Sequence, residues 1–246
     1  MHHFMQYQLE ARARQGQLLR HLAIENKDLV IDLGCGTGYF TSLIKDSAHY
    51  VVGVDIDFAA LIVAKRYCSN HDFVVSDASN LPFKDHAATK VLCTEVLEHV
   101  SDDQRLADEC FRVLYDDGVI VCSSPNASFR FRSKKSSHTE AGPELHVRAG
   151  YTPASLRELL AHAGFSSIQL CFALPMLGTL IVEGLERMYS AAYRPLKSQA
   201  EFIRLERSFF FGLFKALFPV MLRVTSIKFP RSLGGSILIA KAQKSV

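Results

Sequence analysis

Short apolar runs recur along the chain, bounded by polar residues: Leu29-Val30-Ile31, Tyr50 to Val54, Phe73 to Val75, Val91 to Cys93 and Val119 to Cys122. Continuous apolar runs of this length fit strands buried on both faces. Phe58 to Tyr67 and Asp102 to Leu114 carry helical spacing between some of them. Arg12 to Ile24 sets Leu18, Leu19 and Leu22 at helical spacing before Asn26-Lys27-Asp28 breaks the pattern, so a helix leads into the first strand. Thr152 and Pro153 supply an N-cap and a first helical residue for a helix that closes at Gly164. Phe165 to Phe172 and Ser236 to Ala240 read as two last strands. About sixty residues separate them, more than a hairpin or simple crossover needs, so a segment is inserted there.

Strands alternating with helices predict an α/β fold: a parallel sheet with right-handed crossovers and helices on both faces. The expectation is one domain over residues 1–246, with residues 173–231 as a helical insertion before the last strand. Phe129 to Ser137 (F-R-F-R-S-K-K-S-S) is polar and basic and reads as a loop after the fifth strand.

Composition narrows the class. With 246 residues, 48% hydrophobic and 22% charged, the chain can bury a sizeable core, and disorder and a polytopic membrane protein are excluded. Lys plus Arg number 28 against 25 Asp plus Glu, a balance that does not advertise nucleic acid as a partner. The six cysteines (Cys35, Cys68, Cys93, Cys110, Cys122 and Cys171) form no C-x-x-C pair and read as buried thiols of a reducing compartment. Met1 to Glu10 carries polar Gln and His where a signal peptide needs an apolar stretch, so a cytoplasmic location is expected.

The segment Val30-Ile31-Asp32-Leu33-Gly34-Cys35-Gly36-Thr37-Gly38 sets three alternate glycines after the first strand and before a helical segment. Glycine lets the backbone adopt positive φ and approach a ligand closely. A dinucleotide fingerprint starting at Gly34 needs its third glycine where Tyr39 stands, and the Gly-Lys-Ser/Thr of a P-loop is absent. The blander reading is a glycine-rich turn with turn carboxylates nearby.

The D-x-G-x-G-x-G spelling resembles the first motif of class I S-adenosylmethionine (SAM) methyltransferases of the small-molecule type. Asp55 ends the second strand, where a carboxylate can accept both ribose hydroxyls. Asp77-Ala78 and Leu81-Pro82-Phe83 resemble the family's adenine-contacting position and the segment that follows it. The resemblance covers Leu29 to Phe165 plus the final strand. It implies a Rossmann-like, seven-stranded, mostly parallel sheet of order 3-2-1-4-5-7-6 with the last strand antiparallel. It also implies SAM as cofactor, held by Asp32, Gly34, Cys35, Gly36, Gly38, Asp55, Ile56, Asp77, Ala78 and Thr94, with Asp32 facing the methionine end.

A sulfonium methyl is already electrophilic, so the protein must align a nucleophile and, for a hydroxyl, remove its proton. Glu95, Glu98 and His99 follow the fourth strand at spacing i, i+3 and i+4, which puts them on one face of a helical turn. They can act as a base with orienting partners or as ligands of a divalent metal. The bland alternative is helix-start and packing residues beside the cofactor. E-V-L-E-H-V resembles the matching segment of ubiquinone-biosynthesis O-methyltransferases, where such residues are associated with a metal. The [D/N]-P-P-[F/Y] segment of base and amide N-methyltransferases is absent there. Ser124-Pro125-Asn126 resembles a turn that borders the acceptor pocket, and His146 is a second candidate base.

Phe172 to Arg231 holds nine Lys or Arg against four Asp or Glu, with Phe209, Phe210, Phe211, Phe214 and Phe218 among Leu and Met. The run is too short and interrupted to span a bilayer, which needs ~20 apolar residues. It suits peripheral contact with an anionic membrane, a hydrophobic cover over the acceptor, or helices packed on the sheet or on a second subunit. The expected activity is methyl transfer from SAM to a small, partly apolar acceptor that is lipid-like, aromatic or isoprenoid, with oxygen as the target atom. The alternatives are a carrier-bound or glycosylated acceptor, which Arg130, Arg132, Lys134 and Lys135 would suit, and a non-catalytic SAM-binding, membrane-associated protein. The oligomeric state is left open.

Overall fold

A computed structural model describes residues 14–129, 147–175, 179 and 235–245. Helix α1 covers residues 14–22. The remaining order is β1 (Leu29–Leu33), α2 (Tyr39–Ile44), β2 (Tyr50–Asp55), α3 (Phe58–Tyr67), β3 (Asp72–Val75), β4 (Ala88–Thr94), α4 (Asp103–Val113), β5 (Leu114–Pro125), α5 (Pro153–His162), β6 (Ser166–Pro175) and β7 (Gly235–Gln243). Met1–Gln17 and Phe172–Ser236 group as one compact unit, and Leu18–Cys171 with Ile237–Val246 as another. Most of the first unit, including the predicted insertion helices with Phe209 to Phe218, lies outside the described residues. Residues 173–175, the start of the insertion predicted to be helical, instead belong to β6.

The seven strands form one sheet of order β3-β2-β1-β4-β5-β7-β6, as expected. The β1–β2, β1–β4, β2–β3 and β4–β5 pairs are parallel, and β7 runs antiparallel to β5 from Val119↔Gln243 to Pro125↔Ile237. Parallel neighbours force crossovers, and covering helices bury the central strands. Val30, Ile31, Leu33, Val91, Leu92, Cys93, Val121 and Cys122 are each at most 2% exposed, which explains why these strands read as unbroken apolar runs.

The helices start where their caps dictate. Asp57 accepts from the backbone N–H of Ala59 at 2.8 Å to open α3, and Asp102 accepts from that of Arg105 at 3.0 Å to open α4. Thr152 and Ser155 form a reciprocal capping box with Pro153 in the first turn of α5, and Gly164 ends it at φ +99°. One boundary differs from the sequence reading. The fifth strand starts before the apolar run Val119 to Cys122, at Leu114, because pairing with β4 begins at Leu114↔Ala88 and resumes at Val119↔Lys90. Residues 115–118 bulge between those pairs, with Asp117 at φ +64°. Among the described residues no helix is long and apolar enough to cross a membrane.

Candidate functional site

All strands of the parallel part point their carboxyl ends the same way, so the loops after β1, β2, β3, β4 and β5 gather at one edge of the sheet. The glycine loop turns there. Gly34, Gly36 and Gly38 have φ of +69°, +52° and +81°, the left-handed region that side chains resist. The backbone N–H groups of Gly34 and Cys35 both donate to the Val54 carbonyl, at 2.8 and 3.0 Å, which ties the loop to the end of β2. A Cβ at Gly38 would sit 3.0 Å from Ala64 Cβ, so that glycine lets α3 approach the loop. A Cβ at Gly36 would meet nothing within 4 Å, so its Cα faces open space.

Asp55 ends β2 as expected. Its Oδ2 accepts from the Gly36 backbone N–H at 2.7 Å and its Oδ1 from that of Asp57 at 2.9 Å. Each oxygen keeps a further acceptor site, which is what a pair of vicinal hydroxyls requires. Ile56, the next residue, is 72% exposed, an uncommon position for a large apolar side chain with no cover. Asp77 lies in the loop after β3, where its Oδ1 accepts from the Ser79 backbone N–H at 2.8 Å, with Ala78 half-buried beside it. That loop is joined to the site through the Ser76 N–H, which donates to the Asp55 carbonyl at 3.0 Å.

Asp32 is 1% exposed beneath the loop. The Thr41 hydroxyl donates to its Oδ2 at 2.5 Å, while Oδ1 has no hydrogen-bond partner. Burial pushes this carboxyl up to about 7; the Thr41 hydrogen bonds pull it down and the nearby Asp55 charge adds to the rise. Cys35 is also buried, and its thiol is pushed up by burial and then by Asp32 and Asp55, so it is a packing thiol rather than a nucleophile. Thr41 was not singled out from sequence; its only signal there is its place in the first turn after the last glycine.

The loop after β4 is a turn, with the His99 N–H donating to the Val96 carbonyl at 2.9 Å. It does not start a helix, because Glu95 takes φ +55° and breaks the helical spacing that would have stacked Glu95, Glu98 and His99. Thr94, 2% exposed, pairs in register with Ser123. The Ser123 hydroxyl donates to Glu95 Oε1 at 3.1 Å, and the Ser124 hydroxyl donates to Glu98 Oε2 at 3.2 Å. Glu98 is fully buried and His99 half-buried. Among the described residues no group of three His, Cys, Asp or Glu is placed to hold a metal ion. His146 lies outside the described residues. The N–H groups of its neighbours Val147 and Arg148 donate to the Glu98 carbonyl at 3.0 and 3.3 Å.

Arg148 is the polar group that sequence reading passed over. Its guanidinium donates to the Leu97 carbonyl at 2.8 Å, the Ser101 carbonyl at 2.9 Å and the Tyr151 hydroxyl at 2.7 Å, and it pairs with Asp103 at 2.8 Å. Tyr151 in turn donates to Asp103. Burial first, and then Asp103, push the Tyr151 phenol up, so it stays protonated as a donor.

Comparison with known proteins agrees with this architecture. Residues 31–122 match the methyltransferase domain family. A probable S-adenosylmethionine-dependent methyltransferase of Mycolicibacterium smegmatis is 35% identical over 136 residues, covering 55% of this chain and 51% of that protein. The demethylmenaquinone methyltransferase of Thermotoga maritima is 34% identical over 113 residues, covering 44% and 49%. The ubiquinone biosynthesis O-methyltransferase of Coxiella burnetii is 29% identical over 105 residues, covering 41% and 45%. The chain thus spans about half the length of the curated relatives it matches. The solved structure of a SAM-dependent methyltransferase from Thermotoga maritima superposes with a TM-score of 0.65 at 15% identity over 99% of this chain and 95% of that one, which establishes the shared fold. The fold is shared with a solved SAM-dependent methyltransferase, and the segment that matches the methyltransferase domain family lies inside it. The matching residues, 31–122, span β1 through most of β5, the strands that carry the glycine loop, Asp55 and Glu95 to His99.

Proposed function

We propose that the protein transfers the methyl group of SAM to a small, partly apolar acceptor of the lipid-like, aromatic or isoprenoid kind, on oxygen. The observation that carries the reading is the Asp55 carboxylate set against the Gly36 N–H at 2.7 Å, beside a glycine whose Cα faces open space, with a fully buried carboxylate underneath. Those residues fit a nucleoside joined to an amino acid: Asp55 toward the ribose, Ile56 and Asp77-Ala78 along the adenine, Gly34 to Gly38 and Asp32 toward the amino-acid part. SAM supplies an electrophilic methyl on sulfur. The chain's own task is to orient the acceptor and hold its departing proton.

Glu95, Glu98 and His99 are the groups assigned to that proton, with Ser123 and Ser124 fixing the two carboxylates. Relatives named for demethylmenaquinone methylation and for ubiquinone biosynthesis favour an aromatic, partly apolar acceptor, and the second, named an O-methyltransferase, favours an oxygen nucleophile. The aromatic and basic composition of residues 172–231 agrees with an apolar acceptor and with peripheral membrane contact. The test is transfer of labelled methyl from SAM to a panel of catechol and quinol acceptors. Transfer that falls at least a hundredfold in both Glu98→Gln and His99→Gln is expected; full transfer in both variants would remove the proton assignment.

A further inference from the structure

We infer that Asp32 admits its ligand as a cation in exchange for a proton, so that filling the glycine-loop site is coupled to pH through this one carboxyl. The inference rests on the SAM reading above and adds to it a charge rule for the ligand. Asp32 is 1% exposed, its Oδ2 is taken by the Thr41 hydroxyl at 2.5 Å, and its Oδ1 has no hydrogen-bond partner. A buried carboxylate in that state lacks both a counter-charge and half of its hydrogen bonds.

Among the described residues, its titratable neighbours do not supply the charge. They are Asp55 at the end of β2, Cys35 in the loop, Cys68 at the end of α3 and Cys93 on β4, all acids or thiols. Lys45, at the end of α2, acts on Cys68. The loop after β4 adds Glu95, Glu98 and His99 at the same sheet edge. With no cation among the described residues to pair with, burial holds Asp32 as the neutral acid up to about pH 7 until a ligand arrives. A ligand ammonium brings the missing charge and an N–H for Oδ1. The ammonium keeps its own proton, and the Asp32 carboxyl releases one to the buffer.

Calorimetric titration with S-adenosylhomocysteine, which carries the ammonium, is compared with 5′-methylthioadenosine, which shares the nucleoside and has no amino-acid part. Both are run on the full chain between pH 5.5 and 8, in buffers of different ionisation enthalpy. For S-adenosylhomocysteine, affinity falling about tenfold per pH unit below pH 7, with close to one proton released at pH 6, is expected. For 5′-methylthioadenosine the affinity stays level. Asp32→Asn removes the slope for the first ligand and leaves binding of the second, which also reports that the variant is folded. If that variant does not fold, the contrast between the two ligands on the native chain decides alone. A level profile for S-adenosylhomocysteine, or an equal slope for both ligands, overturns the exchange. Failure of both ligands to bind at any pH removes the SAM reading itself.

Discussion

A carbon added to Gly34 would lie 2.2 Å from Cγ2 of Val96, so the loop after β1 and the loop after β4 meet at a contact that only glycine permits. Two causes act together in Gly34→Ala: φ of +69° strains any side chain, and the methyl overlaps Val96. The expected cost is ~2–4 kcal/mol, seen as a melting temperature lowered by roughly 5–10 °C. Val96→Ala in the same chain recovers the overlap and leaves the strain, so the double variant melts above Gly34→Ala alone. Equal melting of Gly34→Ala and the native chain would place the two loops apart.

Arg148 binds the loop that carries Glu98 and His99 from outside, through the carbonyls of Leu97 and Ser101. Arg148→Ala removes a donor that joins those two carbonyls and leaves Asp103 without its cation, a loss of about 2 kcal/mol for a pair that is one-quarter exposed. Hydrogen exchange at the backbone amides of residues 97–101 then quickens at least tenfold. Lys in place of Arg148 keeps the charge but cannot span the two carbonyls and the phenol at once, so its exchange rate falls between the two. Exchange confined to its native rate in Arg148→Ala would show that the loop holds itself.

The buried carboxyl of Asp32 also sets a pH dependence of stability. Its folded value, about 7, is above the ordinary 3.8, so the folded chain binds this proton more tightly than the unfolded chain. Its contribution is fully present below about pH 4 and is lost as pH rises to about 7, with a magnitude on the order of 4 kcal/mol. Glu109 works the other way: the Arg112 guanidinium holds it below the ordinary 4.5, and its contribution is lost only as pH falls below that value. Urea unfolding of the ligand-free chain at pH 5, 6 and 7 is expected to show declining stability that Asp32→Asn flattens. A native profile that rises over that interval would contradict the assignment.

The sheet was legible because its strands are buried on both faces, which leaves apolar runs such as Val91 to Cys93 with no competing pattern. Thr152-Pro153 and Gly164 fixed α5 for the same local reason: each needs a particular backbone conformation. The bulge at residues 115–118 was not legible, since it depends on where β5 resumes pairing with β4 and no single residue announces that register. Within the site, the glycine loop and Asp55 could be read from spacing. Thr41, Ser123 and Arg148 could not, because their partners Asp32, Glu95 and Leu97 are brought to them by the fold rather than by sequence neighbourhood. The turn of Glu95 to His99 was misjudged as helical because a left-handed residue other than glycine leaves no mark in the pattern.

In the proposed function the glycine loop and Asp55 grip the methyl donor. Titration calorimetry of the native chain with S-adenosylhomocysteine at pH 7.5, repeated with Asp55→Ala, tests it most directly. One site per chain is expected, and at least a tenfold loss of affinity in the variant with little change in melting temperature, because the Asp55 side chain is only part-buried and its lost partners are two backbone N–H groups at the loop surface. Native binding left within twofold by Asp55→Ala, or no heat of binding in the native chain, would contradict it.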